Sequence, residues 1–430
     1  MKMQNFLKSL STVLTDICEK DLKIESTDEK FWSDAIKDYP PAGPDFLTED
    51  KIRSYREYCS IDPVDEAFLL EAGKIIRENE NFKLLAWYFY WRLFQKGEAV
   101  THPCPQLKNA LGERSGAFYL LVSFSMTPLL LESHRKLGIP EQTTRDTLKE
   151  IRGYNDNYKR GFKNIPGMYA SQFTWLRTYL NGSIFVRIGR LEFWLRTYYG
   201  GVRAYRNVDT GKVIALSEPN VEFTDEGHVK NKNVPMDNVP GWISTFSEDE
   251  NYVSGNPVIP EGRALNRKTR LDKKEWKCVL EKDACVMDMH IPPGGGLTPE
   301  IFTQSVKDGV SFFRKYFPQS EPMAVVCHSW LFNPDIGEAL PAGAHLPEIQ
   351  KDLYLYPIMS GNEDGLWFIF LQDKFNIETA PRDTSLQRSI IGYLQKGRRW
   401  RCGGMFLLVE DVDSLGKQKY RSEIQGVLND

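Results

Sequence analysis

The sequence predicts an α+β protein, in which an all-helical N-terminal region precedes a mixed, mainly antiparallel sheet with flanking helices. Apolar residues recur at helical spacing through the first third of the chain. After Gly167 the pattern changes to short runs rich in β-favouring residues. Residues 284–333 then have the pattern of a strand, a glycine-rich turn, a helix and a second strand.

The length of 430 residues indicates two domains, because a single core usually stops growing at roughly 250–300 residues. We predict a helical domain at residues 1–166 and a second domain at residues 167–430. Helical spacing marks residues 6–17, 68–76, 84–95, 116–137 and 144–162. Proline-dense stretches at residues 40–44 and 102–105 interrupt these helices, because proline lacks an N–H donor.

The second domain begins with one more possible helix at residues 168–180 and an extended segment at residues 183–195. Two short runs at residues 202–208 and 212–216 flank Asp209-Thr210-Gly211, which predicts a hairpin. Residues 220–270 are polar and irregular, and we expect loops there that cover a site and set acceptor specificity. The remaining prediction is a helix at 271–280, strands at 353–359, 366–371 and 404–410, and a helix at 385–395.

The glycine-rich turn marks the predicted functional region. A β-favouring run at residues 284–291 ends at two prolines and then at glycines 294–296. Thr298, Pro299 and Glu300 supply an N-cap, a proline at the first helical position and an acid in the first turn, so a helix is expected to about residue 317. Glycines at a helix N-terminus expose backbone N–H groups at the positive end of the helix dipole, where a pyrophosphate can bind.

Composition excludes several classes of function. The net charge is −3 without a basic block, which argues against nucleic acid and against a membrane surface. The apolar runs at residues 84–94 and 117–131 fall short of the ~20 residues of a membrane span. Seven scattered cysteines and an N-terminus without a signal-peptide core predict a cytoplasmic protein. No cluster of residues has metal-ligand spacing, so no metal is expected.

Four stretches carry a family resemblance: residues 187–193, 290–297, 311–318 and 327–331. On these residues and on the order of its elements, the chain resembles the GNAT superfamily of acyl-CoA-dependent N-acyltransferases. More narrowly, it is similar to a bacterial family with a helical N-terminal domain and a GNAT-like C-terminal domain. The resemblance implies acyl-CoA, acetyl or longer, as co-substrate.

The resemblance also implies a binding mode. GNAT enzymes hold the pyrophosphate on a turn of pattern Gln/Arg-x-x-Gly-x-Gly/Ala, in which Gly294 and Gly296 match the small positions and Ile291 stands where Gln or Arg is usual. The strand at 284–291 is expected to splay from the strand at 323–332 so that pantetheine inserts between them. The implied cofactor-binding residues are Met289, Ile291, Gly294, Gly295, Gly296, Leu297, Thr298 and Asn333. For Asn333, a helix-capping role explains the residue equally well.

Thioester aminolysis needs a base for the amine proton and donors for the oxyanion. Strand alternation places Asp288 and His290 on one face, where they are able to share a proton, and His328 lies on the neighbouring strand. These three are the candidate catalytic residues. The alternatives are that His290 caps the turn, that Asp288 pairs with a surface cation, and that His328 is a satisfied core residue.

Three charged residues form a candidate substrate-binding set. Arg187, Arg190 and Glu192 flank one strand, and the arginine forks suit a carboxylate or a phosphate. A structural salt bridge is an equally good interpretation. Cys327 beside His328 suggests a covalent acyl-enzyme, but adjacent strand residues point to opposite faces, so a core cysteine is favoured.

These observations lead to the hypothesis of an acyl-CoA-dependent N-acyltransferase. It transfers an acyl group to an amine of a small molecule or peptide by direct attack on the thioester. The alternative is a non-catalytic GNAT-like module that binds a small molecule or protein partner, which Ile291 favours. The oligomeric state stays open.

Overall fold

The computed structural model describes residues 8–17, 22–100, 103–180, 182, 184–372 and 374–429. The N-terminal residues 1–7, with the first part of the helix predicted at 6–17, lie outside the described residues. The chain divides into two compact units. The helical unit comprises Met1–Ile188 and Pro292–Gly294, and the sheet unit comprises Gly189–Ile291 and Gly295–Asp430.

The helical unit confirms the predicted all-helical N-terminal region. Within its described residues, the α-helices are α1 Leu10–Asp16, α2 Ser26–Lys37, α3 Glu49–Tyr58, α4 Glu66–Glu78, α5 Glu80–Phe89, α6 Lys108–Leu111, α7 Ser115–Phe124, α8 Met126–Lys136, α9 Glu141–Gly161 and α10 Ala170–Trp175. One short strand, β1 Phe185–Ile188, packs along α9. The helix predicted at 168–180 is α10 followed by a 3-10 turn at Leu176–Tyr179.

Aromatic residues of α5 and α7 form the core of the helical unit. Tyr88, Phe89 and Phe118 are fully buried, and the Phe89 and Phe118 rings meet edge to face at 6.3 Å between centroids. Residues Lys108–Lys136 have the length and apolarity of a membrane span, but 78% of the apolar 18-residue window within them is buried inside the fold. Its apolar composition therefore serves the core of the unit, as predicted for residues 117–131.

The sheet unit contains the remaining strands and six further helices of the described chain. The strands are β2 Leu191–Thr197, β3 Val202–Asn207, β4 Val213–Ser217, β5 Glu222–Thr224, β6 Gly241–Ile243, β7 Phe246–Glu248, β8 Tyr252–Gly255, β9 Pro257–Ile259, β10 Arg263–Ala264, β11 Thr269–Asp272, β12 Trp276–Leu280, β13 Cys285–His290, β14 Ala324–Ser329, β15 Tyr354–Pro357 and β16 Gly403–Leu408. The helices are α11 Pro299–Tyr316, α12 Ile336–Ala339, α13 His345–Lys351, α14 Leu366–Phe370, α15 Ser385–Gln395 and α16 Lys419–Asn429.

Five strands form the central sheet of this unit in the order β2-β13-β14-β16-β15. Only the β13–β14 pair is parallel among these five, so the sheet is mixed and mainly antiparallel, as predicted. Helix α11 packs against the β2 side, where a Cβ on Gly309 would lie 2.6 Å from the Phe193 ring. The absence of a side chain at Gly309 therefore permits this close approach.

A second sheet has the order β10-β9-β4-β3-β12, and smaller sheets pair β11-β8-β7 and β5-β6. The predicted β3–β4 hairpin is confirmed, with Gly211 at φ 71° in its turn. The prediction of irregular loops at 220–270 was wrong in part, because short strands β5 to β11 occupy much of it. Strands of two to four residues are too short to show a period in the sequence.

Two element predictions were wrong in type. Residues 271–280, predicted as a helix, contain the end of β11 and all of β12, because pairing with β8 and β3 outweighs local helix preference. Residues 366–371, predicted as a strand, contain helix α14. A continuous apolar run of this length fits a buried strand and a buried helix equally well.

Candidate active site

The glycine-rich turn lies between β13 and α11, as predicted. Gly294 and Gly296 have φ values of 129° and 79°, a region that side-chain-bearing residues rarely adopt. A Cβ added to Gly295 or Gly296 would meet no described atom within 4 Å, so the turn borders open space. The Thr298 side chain accepts a hydrogen bond from Ile301 N at 3.3 Å, which confirms the predicted N-cap.

Strands β13 and β14 separate at this end of the sheet. Their parallel pairing ends at Asp288 and Val326. Beyond that pair, β13 stays paired with β2 as far as His290, and β14 stays paired with β16 as far as Ser329. The two strands therefore leave their shared ladder beyond Asp288 and Val326, as the splay implied by the family resemblance requires, and we call the space between their ends the gap.

His290 is the last residue of β13 and faces Glu192 of β2. The two residues are direct cross-strand partners, and His290 Nδ1 lies 2.8 Å from Glu192 Oε2. The Glu192 side chain is 0% exposed, whereas the His290 side chain is 31% exposed. A buried carboxylate thus fixes the ring orientation and leaves one edge of the imidazole near solvent.

Asp288 pairs with Arg196 rather than with His290. Arg196 Nη1 lies 3.2 Å from Asp288 Oδ2, and its guanidinium stacks 4.6 Å from the Trp194 ring centroid. Burial raises the pKa of Asp288 to about 6, and the charges of Arg196 and His290 oppose this shift. Asp288 and His290 therefore belong to two separate pairs on one face, Asp288 with Arg196 and His290 with Glu192, instead of the expected pair that shares a proton.

His328 lies two residues beyond Val326 on β14, so strand alternation places it on the face of Asp288. Its Nε2 lies 2.8 Å from the Tyr356 hydroxyl, and its ring meets the Tyr199 ring at 4.6 Å between centroids. Burial lowers the pKa of His328 to about 4. The imidazole is therefore neutral at pH 7.

Cys327 occupies the opposite face of β14 from His328. It is 5% exposed, and burial raises the pKa of its thiol far above the ordinary value. A thiol without thiolate character is a poor nucleophile. This geometry favours the core-cysteine interpretation.

Comparison with protein families finds two matching domains along the chain. Residues 185–407 match the GNAT-like C-terminal domain, and residues 50–182 match the N-acyltransferase N-terminal domain. The chain belongs to the GNAT-like acyltransferase family. We call the sheet face that carries Asp288, His290 and His328 the polar face. This face, the glycine turn and the ends of β13 and β14 all fall inside the first match.

Solved structures show the same fold at low sequence identity. An acyltransferase with decanoyl-CoA and teicoplanin matches with a TM-score of 0.60 and 17% identity, over 94% of this chain and 100% of that one. An acyltransferase with CoA and 10C-teicoplanin matches with a TM-score of 0.61 and 16% identity, over 94% and 100%. An acyltransferase mutant with octanoyl-CoA has a TM-score of 0.60 and 16% identity, over 93% and 99%. No curated protein matches the sequence significantly.

The residues that the family resemblance assigns to cofactor binding have different surroundings in this GNAT-like protein. Met289 is 2% exposed, while Ile291 and Leu297 are half-buried. Asn333 is fully buried, and its Oδ1 accepts a hydrogen bond from Asp335 N at 3.0 Å in the turn before α12. The N-cap of α12 is Asp335, so Asn333 does not fill the helix-capping role. Its Nδ2 has no hydrogen-bond partner among the described residues.

The two candidate substrate-binding arginines lie in different units. Arg187 belongs to the helical unit and forms an ion pair with the fully buried Glu150 of α9. Arg190 belongs to the sheet unit, where its Nε donates to Gly295 O at 3.4 Å. Its backbone N donates to Ser305 Oγ of α11 at 2.9 Å. Arg190 is thus held beside the glycine turn.

Sequence reasoning missed three residues of the polar face: Arg196, Tyr199 and Tyr356. A signal existed for Arg196, because it follows Glu192 and Trp194 at period two on β2 and so shares their face. Tyr356 is placed by the pairing of β15 with β16, a long-range register that has no local signature.

Proposed function

We propose that this protein is an acyl-CoA-dependent N-acyltransferase that acylates an amine of a small molecule or peptide by direct attack on the thioester. The observation that carries the proposal is the gap between β13 and β14, which opens beside the glycine turn and next to His290. A similar solved structure is an acyltransferase in complex with decanoyl-CoA and teicoplanin. This likeness supports a thioester donor and a peptide-like acceptor.

The glycine turn is the proposed pyrophosphate site. Residues 295–298 lead into α11, an 18-residue helix whose N-terminus favours negative charge. Ile291 has no polar side-chain group to offer a phosphate. Arg190 lies outside the sequence pattern of the turn, but its guanidinium Nε lies 3.4 Å from Gly295 O. We therefore assign to Arg190 the cationic role that the Gln or Arg of the usual pattern fills.

The gap between the strands is the proposed pantetheine channel. Beyond Asp288 and Val326, backbone groups on the facing edges of β13 and β14 are outside the shared ladder. Backbone near Met289 to Ile291 would pair with the pantetheine amides. The buried Nδ2 of Asn333 supplies a further donor that lacks a partner among the described residues.

His290 is the proposed base, and Glu192 is its positioning residue. The acceptor amine attacks the thioester carbonyl carbon, so that a C–N bond forms and the C–S bond breaks. His290 takes the amine proton, and the departing CoA thiolate is protonated from solvent or from His290. Glu192 holds the ring through Nδ1 and stabilises its charged form.

Asp288 and His328 line the acceptor side of the same face. With a pKa of about 6, Asp288 is largely ionised at pH 7 and holds Arg196 in place. His328 is neutral and bonded to the Tyr356 hydroxyl. We propose that these groups orient the acceptor amine rather than exchange its proton.

A cytoplasmic location fits this activity. Each of the six cysteines in the described part of the chain is a free thiol, as a reducing compartment allows.

Thermal unfolding with CoA, acetyl-CoA and decanoyl-CoA tests the donor site. A ligand at 100 times its Kd should stabilise the fold by about 2.7 kcal/mol. The Gly295→Val variant should fold, because a Cβ at residue 295 meets no described atom within 4 Å and Gly295 does not have a positive φ angle. Its valine side chain should block the turn, so the CoA-dependent shift should be lost.

The matched control is Gly392→Val on α15, where a Cβ also meets nothing within 4 Å. It should keep the wild-type shift. Mass spectrometry of a panel of amines with decanoyl-CoA then separates two outcomes. Acylated amines support the transferase. CoA binding without any acylated product would instead support the non-catalytic module, and an absent shift with every CoA species would overturn the donor site itself.

A further inference from the structure

His328 and Tyr356 meet across a strand that lies between them. Both residues are cross-strand partners of Gly404 of β16, His328 from β14 and Tyr356 from β15. Residues in such a row share one face of the sheet, and strands on either side of a third strand lie about 10 Å apart. Even so, His328 Nε2 lies 2.8 Å from the Tyr356 hydroxyl oxygen. The two side chains therefore bridge the middle strand.

Gly404 makes this contact possible. A Cβ on Gly404 would lie against Cε2 and Cζ of Tyr356, closer than van der Waals contact allows. A side chain at position 404 would thus push the tyrosine ring away from His328. Gly201, with φ 119°, leaves room for the same ring, since a Cβ there would lie 2.9 Å from Tyr356 Cε2. Two glycines therefore permit the position from which the hydroxyl reaches Nε2.

The hydroxyl proton of Tyr356 has one evident acceptor. Tyr356 is 0% exposed, and burial raises the pKa of its hydroxyl well above the ordinary value, so the group stays protonated at pH 7. Its hydrogen bond to His328 Nε2 is the only one that the hydroxyl makes among the described residues. A buried donor normally has an acceptor. Donation from Tyr356 to Nε2 meets this requirement.

The Tyr198 hydroxyl favours the same direction. It interacts electrostatically with the Tyr356 hydroxyl, but it is buried and makes no well-aligned hydrogen bond within the described ranges. If His328 donated to Tyr356, the Tyr356 proton would turn to Tyr198, and the Tyr198 proton would lack an acceptor. If Tyr356 donates to His328, its oxygen is free to accept the Tyr198 proton. Only the second order gives every proton a partner.

This direction determines which nitrogen of His328 carries the proton. The imidazole is neutral at pH 7, because burial lowers its pKa to about 4, and a neutral imidazole has a single N–H group. When Nε2 accepts a hydrogen bond, that N–H is at Nδ1. His328 Nδ1 makes no hydrogen bond with any residue that the structure describes, and it is not fully buried. The polar face thus has a fixed N–H donor without a protein acceptor.

We propose that Tyr356 is a positioning residue that holds His328 in the Nδ1–H tautomer, so that His328 donates a hydrogen bond to an oxygen atom of a bound substrate. An N–H group binds only a hydrogen-bond acceptor, and the lone pair of the attacking amine is used in the attack. The remaining acceptors are the thioester carbonyl oxygen and an oxygen beside the amine of the acceptor molecule. The identity of the ligand rests on the proposed function, whereas the tautomer does not.

The first test observes the tautomer directly, in the full chain labelled with ¹⁵N in its histidines and without ligand. Two-bond correlation spectra at pH 7 distinguish a protonated from an unprotonated ring nitrogen, and the His328→Gln variant identifies the signals of His328. We expect a protonated Nδ1 and an unprotonated Nε2. A protonated Nε2 in the wild-type protein would overturn the proposal, and this result needs no variant of Tyr356 to fold.

Tyr356→Phe removes the hydroxyl and should release His328 to the Nε2–H tautomer that free neutral histidine favours. Tyr354→Phe is the matched control. Tyr354 lies two residues earlier on β15 and is also fully buried, but its hydroxyl bonds to Val258 O and Ala215 N. The control should keep the Nδ1–H tautomer. An unchanged tautomer in Tyr356→Phe would remove Tyr356 from the positioning role.

The second test identifies the substrate oxygen with decanoyl-CoA and two acceptors of equal length, methoxyethylamine and butylamine, of which only the first has an oxygen near the amine. A KM for methoxyethylamine that rises up to about tenfold in Tyr356→Phe, with butylamine unaffected, assigns the hydrogen bond to the acceptor. An equal fall in kcat for both amines assigns it to the thioester. Unchanged kinetics despite a changed tautomer would overturn the substrate contact. If neither amine is acylated by the wild type or any variant, the proposed function fails, while the spectra still decide the tautomer.

Discussion

The Nδ1 atom of His290 and the Oε2 atom of Glu192 lie 2.8 Å apart across the β2–β13 ladder. Glu192 is fully buried, so its carboxylate has little water to bond and is committed to protein partners such as His290. This pairing holds one imidazole nitrogen of the last residue of β13, while the His290 side chain stays 31% exposed.

Replacing Glu192 with glutamine should lower kcat by about 10²- to 10⁴-fold, the range that general acid–base catalysis supplies. The amide keeps the shape of the side chain but removes the negative charge that stabilises a protonated His290. The KM for acyl-CoA should change little, because glutamine keeps the size and shape of the side chain. Steady-state kinetics across a pH series measures both parameters.

Glu218→Gln is the control for this variant, since Glu218 also forms a partly buried ion pair, with Arg203 at 3.2 Å. It should leave kcat within a few-fold of the wild type. An unchanged pH–rate profile in Glu192→Gln would remove His290 from its proposed role.

The parts of the site that the sequence predicted are those with local signals. Thr298 and Pro299 start α11 where capping rules place a helix. Gly294 and Gly296 adopt the positive φ angles that glycine permits. Each of these features depends on residues a few positions apart.

The partners of the charged residues were not predictable in the same way. Asp288 and His290 are two apart on β13, yet each pairs with a residue of β2, namely Arg196 and Glu192. Those pairs follow from the register between strands separated by about a hundred residues, and one sequence does not specify that register.

Asp288 should make the fold less stable as the pH rises from about 4 to about 7. Its folded pKa is about 6, above the ordinary value of 3.8, so the folded state binds the proton more tightly than the unfolded state. At 1.36 kcal/mol per pKa unit, the loss is about 3 kcal/mol. Urea unfolding of wild type and Asp288→Asn at several pH values should show this difference shrinking in acid, and a pH-independent difference would contradict it.

His328 should have the opposite effect. Its folded pKa is about 4, below the ordinary value of 6.5, so its contribution is fully present above pH 6.5 and is lost as the pH falls towards 4. Relative to His328→Gln, the wild type should lose about 3 kcal/mol of unfolding free energy over that range. Arg196 affects the pKa of both Asp288 and His328. The variant that combines Asp288→Asn with His328→Gln is therefore needed to measure the coupling between these two residues. A wild-type advantage that grows in acid would exclude a buried neutral His328.

Replacing Arg190 with glutamine should weaken CoA binding about tenfold, as expected when one charge-assisted contact to a phosphate is lost. Affinity for pantetheine, which lacks the pyrophosphate, should be unchanged, because Arg190 lies at the turn beside Gly295 and not in the gap between the strands. Isothermal titration of both ligands separates these effects. Arg314→Gln, in the last turn of α11, should bind both ligands like the wild type. Equal losses for CoA and pantetheine in Arg190→Gln would mean that Arg190 supports the turn through Ser305 and Gly295 without contacting the pyrophosphate.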